Sequence, residues 1–177
     1  MRYLSGFIAA LLLIALGAYV AIITGAYNVA AIAPDTEAER VILNSAMTYS
    51  VRAHARTESP QSWSDAQIKN GFKQYSEMCI TCHGAPGKER TDISKGLHPQ
   101  PPNLAEAVKD WSNAQLFWII KNGIRMTGMP AFGPTHQDEL IWDIVGFLRR
   151  LPEISAQDFR AMEKLSGTTH EQNHHDD

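Results

Sequence analysis

The sequence predicts an all-α protein, in which short helices and long irregular loops follow a single membrane-spanning helix. The mostly apolar stretch LSGFIAALLLIALGAYVAII occupies positions 4–23, and no charged residue occurs between positions 3 and 33. Further along, Ser or Thr repeatedly stands three residues before Glu, Gln or Asp, which is the signature of a helix N-terminus. No stretch has the sustained alternation of apolar and polar residues that is typical of a strand.

The first predicted helix is long enough to cross a membrane. At about 1.5 Å per residue, a helix over 4–23 spans about 30 Å, the thickness of the hydrocarbon region. A cleaved signal peptide is the competing interpretation, since the sequence AIA at 31–33 resembles a cleavage site. The apolar region exceeds the about 7–15 residues usual in signal peptides, and Pro34 restricts the backbone next to that site. We therefore expect a retained anchor over 1–33, with Arg2 on the cytoplasmic side.

Capping patterns predict the other helices and divide the chain. The predicted caps are Thr36 for a helix to about residue 56, Ser64 for a helix that leads to the two cysteines, Ser112 for one to about Lys121, Thr135 for one that ends before Pro152, and Ser155 for a short helix that ends near Gly167. Between them, the Pro- and Gly-rich stretch 84–108 predicts a long irregular loop, and such loops are often functional.

These elements give four segments. We expect a transmembrane anchor over 1–33, a juxtamembrane helical linker over 34–63, a compact domain over 64–152, and a short helix with a His-rich tail over 153–177. For the linker we expect a plain amphipathic stalk, with packing on the compact domain or on a partner subunit as the alternative. The tail carries His170, His174 and His175. We expect it to be disordered, with metal binding as the alternative.

Cys79, Cys82 and His83 form a Cys-x-x-Cys-His run, and they include the only two cysteines of the chain. This spacing is typical of a c-type haem attachment site, in which both thiols form thioethers and the histidine ligates the iron. We therefore predict one covalently bound haem c. A thioredoxin-like pair would sit in a βαβ pattern, and a zinc site would need further Cys or His ligands at suitable spacing.

A second iron ligand is predicted downstream, in the sequence KNGIRMTGMPAFG at 121–133. Met129 lies between Gly128 and Pro130, in a segment that cannot continue a helix. A thioether opposite an imidazole favours reduced iron and raises the reduction potential, which suits an electron carrier. Met126 is the rival, and we expect it to be core filler.

Residues 64–152 resemble a class I monohaem cytochrome c domain. The pieces CITCHGAPG, PPNL, KNGI, TGMPAFG and IWDIVGFLRRLP occur in the order of that family, and the apolar N-terminus is similar to that of its membrane-anchored bacterial members. The resemblance implies that the Pro102 carbonyl accepts a hydrogen bond from His83. It also implies that Gly71 and Tyr75 pack where the first helix of the domain crosses its last, near Ile144 and Phe147.

The expected function is electron transfer between redox partner proteins, by a carrier that is not itself an enzyme. We expect a single-pass protein of a bacterial inner membrane, with the haem domain on the periplasmic side. One alternative is a cytochrome c subunit of a larger membrane-bound oxidoreductase, and another is a haem-based sensor or enzyme. The net charge of −3 and the absence of a basic run give no sign of a nucleic-acid partner.

Overall fold

The computed structural model describes residues 2–167, and within them it has helices and no strand apart from an isolated bridge between Ala85 and Lys88. The predicted all-α class is confirmed. The chain forms two compact units, Met1–Pro34 and the residues from Asp35 onward. The helices are α1 Arg2–Ile23, α2 Glu37–His54, α3 Asp65–Met78, α4 Ile80–His83, α5 Asp92–Lys95, α6 Leu104–Ala107, α7 Asn113–Asn122, α8 Asp138–Arg150 and α9 Ala156–Ser166, with 3-10 turns at Val108–Asp110 and Leu151–Glu153.

The first unit contains α1. Its segment Tyr3–Ile23 has a mean hydropathy of 2.6 and is long and apolar enough to cross a membrane. A signal sequence meets the same criterion of length and composition, so the choice of a retained anchor stays a prediction.

The capping boxes begin the helices of the second unit as the sequence predicts. Thr36, Ser64 and Ser112 each accept a hydrogen bond from the backbone N–H three residues later, and the Glu or Gln there bonds back to the cap. Ser155 caps α9 through the backbone N–H of Asp158. These reciprocal bonds satisfy amide groups that the first turn of a helix leaves unpaired.

Two local predictions are wrong. Thr135 does not cap α8, because it lies within a turn in which its own N–H and that of His136 donate to the Phe132 carbonyl, and Gln137 is the N-cap residue instead. The stretch 84–108 is also more regular than expected, since it contains α5, α6 and the start of a 3-10 turn. Short caps explain this: Thr91 and Asn103 each accept a backbone hydrogen bond and so begin a single turn.

The core forms where α3 crosses α8 at Gly71. A Cβ atom at Gly71 would lie 2.0 Å from the backbone oxygen of Asp143 and 3.0 Å from the Cβ atom of Phe147. Only glycine therefore lets the two helices come this close. The packing of Gly71 near Phe147 that the resemblance implied is confirmed.

An aromatic cluster fills the space beside this crossing. Tyr75 and Phe147 pack with ring centroids 5.1 Å apart, and Phe72 lies 5.2 Å from Phe159 of α9. All four side chains are fully buried. The helix α9 thus belongs to the same core, and an ion pair between Lys88 and Glu163 at 2.6 Å joins it to the loop after α4.

The segment α2 is not a plain stalk. Val51 is fully buried, and the His54 ring stacks on Trp118 of α7 with a centroid distance of 5.9 Å. The predicted boundaries at 63/64 and 152/153 stay predictions, but α2 and α9 both contribute buried residues to the second unit. The His-rich tail lies outside the described residues.

The helix crossing gives a direct test. We expect Gly71→Ala to lower the free energy of unfolding by at least about 2 kcal/mol, because a new Cβ atom would force the backbones of α3 and α8 apart. Gly96→Ala is the matched control, since its Cβ atom would meet nothing nearer than 3.6 Å. Denaturant unfolding of both variants measures the difference, and equal midpoints would contradict the close crossing.

Candidate functional site

The Cys-x-x-Cys-His run forms a single helical turn at the end of α3. Cys79 is both the C-cap of α3 and the N-cap of α4. Its carbonyl accepts hydrogen bonds from the N–H groups of Cys82 at 3.2 Å and His83 at 2.9 Å. Gly84 ends the turn with a φ of +70°, a backbone conformation that favours glycine. The turn thereby brings both thiols and the imidazole to the rim of one cavity.

The cysteines are free thiols rather than a disulfide. Burial, reinforced by neighbouring Cys82, raises the pKa of the Cys79 thiol to about 12. A disulfide oxidoreductase requires the reverse, a depressed pKa that supplies a reactive thiolate. The described chain also has no strand that would form a βαβ setting for such a pair.

His83 is held in one tautomer by Pro102. Its Nδ1 lies 2.8 Å from the Pro102 carbonyl oxygen, and because a carbonyl only accepts, Nδ1 carries the hydrogen. The Nε2 atom therefore keeps its lone pair. Burial lowers the pKa of His83 and is the largest effect. The hydrogen bond to Pro102 raises this pKa and nearby Arg90 lowers it, so the net change is a lowering. A neutral imidazole with one fixed N–H is the form that ligates metals.

Three side chains satisfy the carbonyls of the turn. The buried Tyr75 hydroxyl donates to Gly84 at 2.7 Å, the Thr91 hydroxyl donates to Thr81 at 2.6 Å, and the Ser94 hydroxyl donates to Cys82. Burial, with a smaller contribution from Cys79, raises the pKa of Tyr75, so this hydroxyl stays protonated and can donate. The sequence predicted Tyr75 as a packing residue only, and it predicted neither of the other two.

The segment that carries Met129 is fastened to the end of α7 by backbone hydrogen bonds. Ile124 N–H donates to the Met129 carbonyl at 3.2 Å, and Phe132 N–H donates to the Ile120 carbonyl at 3.1 Å. The Thr127 hydroxyl accepts from the Met129 N–H at 3.0 Å. The position of Met129 is thus set by the backbone on both sides.

Gly123 makes this arrangement sterically possible. Its φ is +65°, and a Cβ atom there would lie 2.7 Å from the Met129 carbonyl oxygen. The glycine that ends α7 therefore also lets the methionine segment lie directly against the helix end.

Met126 is not core filler, and that expectation is wrong. It lies in the left-handed region with a φ of +61°, and its side chain is 77% exposed. Met129 is half-buried and lines the cavity, whereas Met126 does not.

The cavity has a volume of about 440 Å³. All five predicted site residues line it: Cys79, Cys82, His83, Pro102 and Met129. Most of the remaining wall is apolar and comes from Met78, Leu104, Val108, Trp111, Leu116, Ile119, Ile120, Ile124, Phe132, Ile144 and Leu148. Two further wall residues, Asn44 and Met47, come from α2.

The residues present fit a c-type haem. Two thiols one helical turn apart, an imidazole with a free Nε2 and a thioether share one apolar cavity, which is the donor set that c-type ligation uses. In residues 2–167, no three His, Cys, Asp or Glu side chains converge as a metal-binding group would.

Residues 66–148 match the family model described as cytochrome C oxidase, cbb3-type, subunit III. This segment is a monohaem cytochrome c domain. The domain binds covalent haem c and serves in electron transfer. A comparison with curated proteins found no match. The match leaves α2 and α9 outside its limits, although both pack on the cytochrome c domain.

Arg149 organises one wall of the cavity and was not predicted. Its guanidinium donates to the Asn113 side-chain oxygen at 2.6 Å, to the Val108 carbonyl at 2.5 Å and to the Trp111 carbonyl. Burial lowers the pKa of Arg149. The side chain thus ties the last turn of α8 to the segment that brings Val108 and Trp111 to the cavity. Its neighbour Arg150 is the same residue type, so no signal in the sequence distinguishes the two.

The Tyr75 hydrogen bond gives a test of how the haem-binding turn is held. We expect Tyr75→Phe to lower the free energy of unfolding by about 1–3 kcal/mol, because the buried Gly84 carbonyl loses its side-chain donor. Tyr49→Phe is the control, since Tyr49 is 70% exposed on α2. Thermal unfolding of the haem-loaded variants measures both, and a Tyr75 variant as stable as the control would contradict the assignment.

Proposed function

We propose that the chain is a membrane-anchored electron carrier in which His83 and Met129 would ligate the haem iron and Cys79 and Cys82 would hold the haem covalently. One observation carries the proposal: these four side chains line one mostly apolar cavity. The haem supplies one-electron chemistry, as its iron cycles between Fe(II) and Fe(III).

The residues around the cavity have distinct roles in this proposal. Pro102 accepts the Nδ1 hydrogen of His83, which would leave the Nε2 lone pair free to ligate the iron and would raise its basicity. The Met129 thioether is a soft ligand that favours the reduced state. With both ligands retained, no coordination position is open to substrate, so the site transfers electrons and does not make or break bonds.

The apolar wall supports the same conclusion. Side chains such as Ile120, Ile144 and Leu148 exclude water from the space around the ligands. A dry, rigid surrounding limits how much the environment must rearrange when the charge on the metal changes. A sensor or a haem enzyme would instead need a labile or missing sixth ligand.

The proposed location is a bacterial inner membrane, with α1 as a single-pass anchor and the cytochrome c domain on the periplasmic side. Three observations support it: the length and hydropathy of Tyr3–Ile23, the positive charge of Arg2 before it, and the export that c-type haem attachment requires.

A second candidate is a cytochrome c subunit of a membrane-bound oxidase complex. The matched family model is described as an oxidase subunit. In addition, Ile42 and Tyr49 are exposed on the outer side of α2, where a neighbouring subunit would cover them. The chemistry of the site is the same for both candidates.

The ligand assignment is tested by two methionine variants. A methionine–Fe(III) bond gives a weak absorption band at the red end of the visible spectrum. We expect Met129→Ala to lose this band, to bind carbon monoxide and to have a lower reduction potential, because the soft ligand is gone.

Met126→Ala is the matched control. Since Met126 is exposed and outside the cavity, we expect it to keep the band, the potential and nearly all of the stability. Loss of the band in the Met126 variant alone would move the ligand to that residue. A wild-type protein that lacks the band and binds carbon monoxide readily would favour a sensor or an enzyme.

One membrane preparation tests the anchor and also distinguishes the free carrier from the oxidase subunit. We expect the haem-stained chain to stay in membranes through alkaline carbonate washing, because Tyr3–Ile23 spans the bilayer. After solubilisation in mild detergent, a free carrier migrates near its own 19.7 kDa plus detergent, whereas a subunit migrates with a larger oxidase. Recovery of a chain that begins near Pro34 in the soluble fraction would contradict the anchor.

A further inference from the structure

The helix α2 supplies part of the haem cavity, although it lies outside the matched cytochrome c segment. Asn44 and Met47 line the same cavity as His83 and Met129, while the family match begins only at residue 66. A wall of the cavity therefore comes from a part of the chain that the family model does not describe.

The inner residues of α2 form one continuous stripe. Asn44, Met47, Val51 and His54 follow at intervals of three and four residues, so they share one side of the helix. Met47 is half-buried and Val51 is fully buried, in keeping with this side facing the domain. Ile42 and Tyr49, seven residues apart, are exposed on the other side.

The C-terminal end of α2 is attached to α7. Val51 is buried there, and the His54 ring lies 5.9 Å from Trp118 at an interplanar angle of 28°. The Nδ1 atom of His54 lies 2.8 Å from the Ser50 carbonyl oxygen, which fixes the orientation of the ring. The neighbouring residue Ile119 of α7 lines the cavity.

The N-terminal end is attached to a different wall. Asp35, next to the Thr36 cap, lies 3.0 Å from His98 through Oδ2 and Nε2. His98 directly precedes the Pro99–Pro102 segment, whose residues line the cavity and include the partner of His83. The helix α2 is thus attached at its N-terminal end to the 98–102 loop and at its C-terminal end to α7.

We propose that α2 is a strap that closes the haem cavity between the 98–102 loop and α7, with the half-buried Met47 as its inward-facing side chain and the exposed Asn44 at the edge of the cavity. It acts as a positioning element for electron transfer: it keeps water from this side of the site, so that the oxidised iron is less well solvated and the reduction potential is higher. Electrons then enter and leave at an edge that α2 does not cover.

The strap is held lightly, which makes its contribution measurable. Its attachments include the fully buried Val51, the stack of His54 on Trp118 and the polar contact of Asp35 with His98, whose side chains are about one-third exposed. Partly exposed polar contacts of this kind contribute little to stability. A variant that disturbs α2 therefore leaves the α3–α8 core folded, and a change in potential reports on the cavity wall.

The proposal rests on the placement of haem proposed above and is tested on the full-length, haem-loaded protein. We expect Met47→Ala to lower the reduction potential, with about a threefold to tenfold higher Fe(III)/Fe(II) ratio at a fixed ambient potential, because water gains access to the site. A tenfold change corresponds to about 59 mV for a one-electron couple. The red absorption band is retained, since Met129 is untouched.

Two variants provide controls. Met47→Leu keeps a similar apolar volume, so it restores the wild-type potential, and Tyr49→Ala on the outer side of α2 leaves the potential unchanged. An unchanged potential in Met47→Ala overturns the strap. An equal shift of the reduction potential in Tyr49→Ala also overturns the strap. A Met47→Leu variant whose potential stays below that of the wild type overturns it as well.

A second measurement needs no variant. Under brief treatment of the wild-type protein with chloramine-T, Met126 is oxidised rapidly and Met47 only slowly, as peptide mass spectrometry measures. Equal oxidation of Met47 and Met126 overturns the strap. If the band is present in the wild type and lost in Met129→Ala, such a result leaves the ligand assignment standing, so the two failures are distinguishable.

Discussion

The close crossing of α3 and α8 at Gly71 is the constraint on which the rest of the domain depends. Contact between the two backbones fixes α3, whose end carries the Cys-x-x-Cys-His turn. Tyr75, one turn after Gly71, is buried in the crossing and reaches the Gly84 carbonyl at the end of that turn. A displacement of α3 would therefore move both thiols and the imidazole together.

Residues of α8 that directly follow those of the crossing link the core to the wall of the cavity. Ile144 and Leu148 belong to the buried core and also line the cavity, so core packing and cavity shape are one arrangement of side chains. Arg149 adds backbone contacts that fix Trp111 beside them. A small domain has little apolar core of its own. Residues that pack in the core and also line the cavity compensate for that shortage.

Much of this arrangement could be predicted from the sequence, because it depends on short-range signals. The capping boxes at Thr36, Ser64 and Ser112 act within four residues, and they locate three helix starts correctly. Thr135 has the same pattern but fails, because its backbone belongs to a turn in which the N–H groups of Thr135 and His136 donate to the Phe132 carbonyl, so that α8 begins only after Gln137. The five site residues were predicted from a motif and a family order, and the structure brings them to one cavity; their roles toward iron stay predictions.

The contacts that could not be predicted join segments that are far apart in the sequence, through residues that belong to no recognisable motif. Met47 is one of several apolar residues on a helix whose stripe is imperfect, and nothing near it in the sequence marks the cavity as its neighbour. Its position depends on the separate attachments of Asp35 to His98 and of His54 to Trp118, each across more than sixty residues of chain. Local patterns therefore mark the candidate site residues, while long-range contacts determine which other side chains complete the wall of the cavity.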